Sequence, residues 1–191
     1  MLRYLIPSKT RRKILDLFFS DTSGIYHLRK ISRLVDEEVN AVKRELDILE
    51  KAAVLKKERR VNKVIYELNR DWFFFDEFLR LFTKSGTLVQ SIRKNLPKLG
   101  KVKFIALSTK FSKKKKIAEG EIYLLVVGIV VLPEVAQIIA EEEKKFPYEI
   151  NYTIMTEEEL LFRKKNSDPF IWKFLRESKI MIKGEEEQLL A

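Results

Sequence analysis

The side chains with the clearest capacity for chemistry are an amide and two cations in one short segment, at Asn40, Lys43 and Arg44. Such groups can hydrogen-bond to base edges and pair with phosphate oxygens, and Ala41 beside them can contact a thymine methyl group. Charged residues on a helix more commonly form only a solvated surface. The neighbouring segments therefore indicate which interpretation is favoured, a nucleic-acid contact or a solvated helix face.

A helix from Asp36 to Lys51 is predicted to position these groups. Its apolar positions are spaced three, four and three residues apart, as on one stripe of an α-helix: Val39, Val42, Leu46 and Leu49. Asp36 can cap the N-terminus, and Glu37 and Glu38 suit the positive end of the helix dipole. The same two carboxylates would repel phosphates close to the first turn. Ile48 is apolar on the otherwise outward face, which this helix alone does not explain.

The preceding segments complete a helix-turn-helix. Ser8 is a suitable N-cap for a first helix with a buried apolar face. Asp21–Gly24 is rich in turn residues, Ile25–Tyr26 leaves room for a short extended piece, and Leu28–Val35 predicts a second helix. Only about one turn of chain separates the second helix from the third, so these two helices form the motif.

Two short β-type runs, 54–58 and 64–68, follow directly. The turn between them, 59–63, is mostly cationic, and a basic hairpin in this place is a wing. Solubility alone could explain basic residues at a hairpin tip, but helix and wing would project their cations to the same side. We therefore expect double-stranded DNA as a partner, contacted by residues of both elements: Asn40, Ala41, Lys43, Arg44, Lys57, Arg59, Arg60 and Lys63.

The charge is unevenly distributed along the chain. Residues 1–70 carry 17 Lys and Arg against 10 Asp and Glu, residues 71–120 carry 12 against 4, and residues 121–191 carry 9 against 14. The net charge of +10 therefore resides in the front of the molecule, while the rear is acidic. This asymmetry favours a polyanionic partner for the front.

Several functional classes are excluded by composition. The chain has no Cys and a single His, His27, which excludes most zinc sites and every cysteine nucleophile, so no metal site and no cofactor are expected. Its first residues do not resemble a signal peptide, and the longest apolar run, Ile122–Leu132, is too short to span a membrane. We expect a cytoplasmic protein without a membrane partner.

The segment 71–99 is expected to connect two domains through apolar helices. Its first part, Trp72–Phe82, is apolar on nearly every side and should be buried all round. Packing between domains and a homodimer interface both account for this, and a two-fold protein would match a two-fold DNA site. Leu88–Leu96 then outlines an amphipathic helix that ends at Pro97.

Beyond residue 100, strands alternate with helices, which is typical of an α/β domain. The predicted strands are 103–107, 122–131, 148–155 and 180–182, and the predicted helices are 133–146, 157–163 and 168–175. The fold class is therefore α+β and α/β with two domains. A winged helix-turn-helix is expected over 1–70, connecting helices over 71–99, and a small mixed-sheet domain over 100–191.

Tyr26–Asn69 resembles the winged-helix domain of archaeal regulators of the ArsR/MarR-like class. Val39–Leu46 followed by Leu49–Ala52 is close to the recognition-helix pattern of that group, which usually has Gly where Ala53 stands. The resemblance implies that the recognition helix enters the major groove and that the wing contacts the backbone or the minor groove. It also implies a dimer.

Val102–Gly184 resembles the minimal nucleotidyltransferase domain that is often fused to such winged helices. In that family a Gly-Ser pair holds a nucleotide phosphate, and an Asp-x-Asp motif binds Mg²⁺ for phosphoryl transfer. Here Leu107-Ser108 and Glu121-Ile122-Tyr123 occupy these positions. A phenol cannot replace a metal-binding carboxylate at neutral pH. No catalytic residue is therefore assigned, and the domain is expected to be inactive.

The loop between those two strands contains a run of cations. Ser108 and four lysines are candidate phosphate-binding residues: Lys113, Lys114, Lys115 and Lys116. A solvated, mobile loop explains the run as well. The functional alternative is contact with a nucleic-acid backbone or with the phosphates of a bound nucleotide. A small-molecule or nucleotide effector is therefore an open hypothesis.

These patterns favour a DNA-binding transcriptional regulator, a homodimer whose second domain serves assembly or ligand sensing. Two alternatives stay open. One is an active nucleotidyltransferase that modifies a protein or an RNA, with Ser108 and Glu121 in remnant roles. The other is an antitoxin-like interaction protein that binds the product of a neighbouring gene.

Overall fold

The computed structural model describes residues 2–60 and 63–191, which form a mixture of helices and two β-sheets. The chain divides into two compact units, Met1–Ser85 and Gly86–Ala191, each with an apolar core of its own. This division falls inside the segment expected to connect two domains. The helix before it packs into the first core and the helix after it into the second, so 71–99 is not a separate element of the fold.

The first unit alternates helices with the strands of a small sheet. Its elements are α1 (Leu2–Leu5), α2 (Lys9–Ser20), β1 (Ile25–His27), α3 (Leu28–Val35), α4 (Val39–Lys51), β2 (Leu55–Arg60), β3 (Lys63–Leu68) and α5 (Phe75–Ser85). The sheet is antiparallel, with the strand order β1-β3-β2. Ser8 Oγ accepts a hydrogen bond from the Arg11 N–H at 3.2 Å, which confirms the predicted N-cap of α2.

α4 begins at Val39 and not at Asp36. Asp36 instead ends α3 with a left-handed backbone, at φ 50°, which Asp tolerates better than most residues. In the turn that follows, the Glu37 N–H donates to the Ser32 carbonyl, and Ser32 Oγ donates to the Glu37 carbonyl at 2.7 Å. The predicted Asp36 cap is therefore wrong, because the turn requires this residue. The N-cap is Glu38, whose side chain makes no capping hydrogen bond.

α4 ends in a Schellman motif around Ala53. The Val54 N–H donates to the Leu49 carbonyl and the Ala53 N–H to the Glu50 carbonyl, both at 2.9 Å. Ala53 has φ 58°, the left-handed conformation that Gly usually supplies at this position of the motif. Val54 and Leu49 are both buried, so this turn leads the chain from the helix into the core side of the sheet.

The hairpin strands reach further than the sequence predicts. Their register pairs Leu55 with Leu68 at one end and Arg60 with Lys63 at the other. The cations at 59, 60 and 63 are therefore strand residues and not turn residues. Residues 61 and 62, which belong to the predicted turn, lie outside the described residues.

α5 is buried on one side only. Phe75, Leu79 and Phe82 pack into the first core, where the Phe82 ring stacks on Phe19 with ring centroids 5.0 Å apart. Phe73, in the turn before the helix, is 86% exposed. The expectation of a helix buried all round is therefore wrong. The aromatic run begins before the helix, and within the helix an exposed side is formed by the charged residues Asp76, Glu77, Arg80 and Lys84.

The second unit is built on a four-stranded sheet. Its elements are α6 (Thr87–Asn95), a short 3-10 helix (Leu96–Lys98), β4 (Gly100–Ser108), α7 (Thr109–Ser112), β5 (Leu124–Val130), α8 (Leu132–Glu143), β6 (Tyr152–Met155), α9 (Glu157–Lys165), α10 (Pro169–Arg176), β7 (Lys179–Lys183) and α11 (Glu186–Leu190). The strand order is β6-β5-β4-β7. β5 and β6 are parallel, and the other pairs are antiparallel. β5 and β6 both begin later than the predicted strands.

Helices cover both faces of this sheet. α6 and α8 pack with Ile105, Leu107, Leu124 and Val126, and α9, α10 and α11 pack with Phe104, Ala106, Leu125 and Val127. The two sets alternate along β4 and β5, as side chains on opposite faces of a strand must. No sequence pattern above predicts α11, whose Leu189 is fully buried.

Gly128 in β5 lies opposite an irregularity in β4. The register of the two strands shifts between Val102 and Phe104. Gly128 has φ 143°, and a Cβ atom at this position would lie 2.3 Å from the Lys101 carbonyl oxygen. A side chain therefore cannot be added here unless the backbone of β4 moves.

Candidate nucleic-acid interface

α4 presents three of its predicted contact residues to solvent. Asn40, Lys43 and Arg44 are all exposed, whereas Ala41 is half-buried beside them. In the part of the chain that the structure describes, neither Lys43 nor Arg44 forms an ion pair with a carboxylate. Both cations are therefore available to an anionic partner.

The opposite side of α4 is fixed to α2. Val42 and Leu46 are fully buried in the first core. Glu45 accepts hydrogen bonds from Ser8 Oγ at 2.6 Å and from Arg11 Nε at 2.7 Å. Because this carboxylate points back at the start of α2, it helps to set the rotation of α4 and does not face solvent beside Arg44.

Glu37 also faces the interior of the unit. Its Oε1 atom lies 2.8 Å from Lys13 Nζ and 3.1 Å from Lys9 Nζ, and its side chain is 16% exposed. The hydrogen bond from Lys13, followed by that from Lys9, lowers the pKa of Glu37 to about 2. The carboxylate is thus compensated within the unit and does not oppose a phosphate group. Glu38 is exposed.

The hairpin divides its predicted contact residues into two groups. Lys57 Nζ lies 3.0 Å from Glu50 and 3.7 Å from Asp47 of α4, and the hydrogen bond to Glu50 raises the pKa of Lys57. Arg60 pairs with Glu58 at 3.0 Å. Arg59 and Lys63 are exposed, and among residues 2–60 and 63–191 neither has a carboxylate partner.

α3 carries exposed cations that were not among the predicted contact residues. Arg29, Lys30 and Arg33 are exposed, and the Lys30 ammonium lies 4.9 Å from the centre of the Tyr26 ring. His27 caps this helix, since its Nδ1 accepts a hydrogen bond from the Lys30 N–H at 3.2 Å. Arg29 and Arg33 lie one helical turn apart on a short helix next to α4, and this spacing could have indicated them as further candidate contacts.

In the second unit, Glu121 lies in an ion-pair network. Its two oxygens are each 3.0 Å from an ammonium group, Lys110 on one side and Lys173 on the other, and Lys110 also pairs with Glu177 at 2.7 Å. Burial alone would raise the pKa of Glu121, but hydrogen bonds from Lys173, the Ala118 N–H and Lys110 outweigh it and lower the pKa to about 2. Two ammonium groups therefore occupy the directions in which a metal ion would approach.

The other residues of the expected nucleotide site serve the fold. Ser108 is 1% exposed, and its Oγ accepts from the Lys110 N–H at 3.2 Å as the N-cap of α7. Tyr123 is fully buried, and its hydroxyl donates to the Lys115 carbonyl at 2.7 Å. Neither side chain is open to a phosphate group.

The lysine run and a cleft beside Glu121 are separate features. Lys115 and Lys116 are exposed, and Lys113 and Lys114 are half-buried. A cleft of about 490 Å³ lies beside Glu121, and neither Ser108 nor any of the four lysines lines it. The candidate phosphate-binding residues are therefore not brought together around this cleft.

Residues 2–60 and 63–191 contain no group of three His, Asp or Glu side chains arranged to hold a metal ion. Every helix in these residues is too short or too polar to span a bilayer. A scan of known protein families and searches of curated proteins and of solved structures found no match to this chain. No related protein therefore indicates what this interface binds, and its role is inferred from the residues of this chain alone.

Proposed function

We propose that the first unit binds double-stranded DNA and that the protein is a transcriptional regulator acting as a homodimer. The observation that carries this proposal is the outward stripe of α4. Asn40, Lys43 and Arg44 are exposed and free of carboxylate partners within the described residues, while Glu37 and Glu45 are held against α2. An amide and two cations on one stripe suit base edges and flanking phosphates.

The arrangement of the unit supports a winged-helix mode of binding. The order helix, strand, helix, helix, hairpin places α4 directly before β2, and the pairs between Lys57 and α4 hold the hairpin beside it. In this mode α4 lies in the major groove, and Arg59 and Lys63 contact the backbone or the minor groove.

The second unit is proposed to be catalytically inactive and to serve assembly or ligand sensing. Two ammonium groups occupy both oxygens of Glu121, and Tyr123 is buried where the resemblance would require a metal-binding carboxylate. These features support inactivity because phosphoryl transfer with Mg²⁺ needs several free carboxylate oxygens.

The test is selection from random duplex DNA with the purified full-length protein at several salt concentrations. We expect an enriched, two-fold sequence whose binding weakens steeply with salt. Asn40→Ala and Arg44→Ala should each cost about 1–3 kcal/mol on the selected site and relax its sequence preference. Lys63→Ala should weaken binding to every sequence and reduce the salt slope by about 0.9.

Lys165→Ala provides the control, because Lys165 is an exposed cation of the second unit. This variant should bind the selected site like the wild type. The absence of any enriched sequence at every salt concentration would contradict the proposal.

A further inference from the structure

The exposed side of α4, which carries Asn40, Lys43 and Arg44, also carries an apolar residue, Ile48. Asn40, Arg44 and Ile48 follow one another at intervals of four residues, so Ile48 lies about 40° round the helix from Arg44 and about 80° from Asn40. Ile48 is 44% exposed although it is a large apolar side chain. An exposed apolar residue one helical turn from the proposed contact Arg44 calls for an apolar partner.

The carboxylates around Ile48 are engaged elsewhere. Asp47 precedes it and Glu50 follows two positions later, and both pair with Lys57 of β2. Both carboxylates are therefore directed to the hairpin, where the single Lys57 ammonium offsets one of their two negative charges. Toward solvent, Ile48 is flanked along the stripe by the cations Arg44 and Lys51, both exposed. This surface is apolar at its centre and positive at its edges.

That combination matches the floor of the major groove. From Asn40 to Ile48 the helix rises by about 12 Å, which is about the width of the major groove. The groove presents hydrogen-bonding groups and one apolar group, the C5-methyl of thymine, between two rows of phosphates. A β-branched side chain between two cations is complementary to a thymine methyl group between phosphates.

We propose that Ile48 is a specificity-determining residue that recognises a thymine through its methyl group, an inference that rests on the proposed binding of DNA by α4. Ala41, which the sequence analysis assigned to such a contact, is half-buried and therefore presents less apolar surface. Ile48 is more exposed than Ala41 and lies one helical turn from Arg44.

The experiment replaces each thymine of the selected site, one at a time, by deoxyuridine, which lacks only the methyl group. For the wild type, at least one replacement should weaken binding about fourfold, the effect of one lost methyl contact. Ile48→Ala should bind the thymine site about fourfold more weakly and should no longer distinguish thymine from uracil there. Ile129→Ala, an exposed isoleucine of the second unit, should keep the wild-type discrimination.

The outcomes separate this inference from the proposal on which it rests. If a site is enriched but Ile48→Ala distinguishes thymine from uracil at every position as the wild type does, the inference is overturned and DNA binding stands. If Ile48→Ala instead changes the oligomeric state in sedimentation, Ile48 contacts a second copy and the inference is also overturned. If no site is enriched, both fail together.

Discussion

Ala53 holds a left-handed backbone conformation that is strained for every residue with a side chain. Its φ of 58° is imposed by the two hydrogen bonds that end α4, one of them its own N–H to the Glu50 carbonyl. A Cβ atom in this conformation costs about 1 kcal/mol. The strain is located where α4 turns into β2, so it affects the stability of the unit that carries the candidate interface.

We expect Ala53→Gly to raise the free energy of unfolding by about 0.5–1 kcal/mol, because Gly adopts this conformation without steric cost. Ala52→Gly is the matched control. Ala52 has φ −78°, so its replacement by Gly should lower the free energy of unfolding by about 0.5–1 kcal/mol. Urea unfolding of both variants checks the pair, and a loss of stability in Ala53→Gly would contradict the assigned conformation.

At the scale of elements, Lys57 joins the hairpin to α4. Its single ammonium group offsets one of the two negative charges of Asp47 and Glu50, which would otherwise both face the proposed DNA path without a cation beside them. Lys57 was predicted as a direct DNA contact, and its pairing favours an indirect role. The pairing spans two elements, and no local pattern of charge along the sequence indicates it.

Lys57→Gln should weaken binding to the selected DNA site about two- to fivefold, the size expected for partly exposed charges. If Lys57 acts by compensating the two carboxylates, the same substitution should have little effect in a background with Asp47→Asn and Glu50→Gln. Fluorescence anisotropy on the four proteins measures this cycle. An effect of Lys57→Gln that persists in that background would identify a direct phosphate contact instead.

The features that sequence patterns locate correctly are local ones. Periodicity identifies the buried side of α4 through Val42, Leu46 and Leu49, and a single residue type identifies the Ser8 cap. Boundaries and partners depend on contacts between distant residues. Glu121, just before β5, forms an ion pair with Lys173 of α10, more than 50 residues later in the chain. Because of this pairing, Glu121 is a member of an ion pair and not a free carboxylate that could bind a metal ion.

At the scale of the whole molecule, each unit has a separate core and contains one of the two Trp residues, Trp72 in the first and Trp172 in the second. Changes within one core should therefore leave the unfolding of the other unit unchanged. Glu121 makes this testable. Because the pKa of Glu121 is lowered, its ionised carboxylate stabilises the second unit at every pH above 4.5, the ordinary pKa of a Glu side chain. This stabilisation is lost as the pH falls toward 2.

Glu121→Gln should lower the free energy of unfolding of the second unit by about 2 kcal/mol at pH 7 and flatten its decline between pH 5 and pH 2.5. Trp172 fluorescence in a Trp72→Phe background reports this unit. Glu119→Gln, at an exposed neighbouring position, should keep the wild-type pH dependence. In the converse Trp172→Phe background, a shift of the Trp72 transition by Glu121→Gln would show that the two units unfold together.

The close approach of β4 to Gly128 has a consequence for genetic experiments. Every missense codon at position 128 adds a Cβ atom that meets the Lys101 carbonyl oxygen, so each such allele damages the β4–β5 pairing whatever its side chain. In a screen for loss of the proposed DNA binding, position 128 would therefore score like a residue that contacts DNA. Protein abundance, measured allele by allele, distinguishes such folding alleles from those at Asn40, Arg44 or Ile48, whose side chains are exposed.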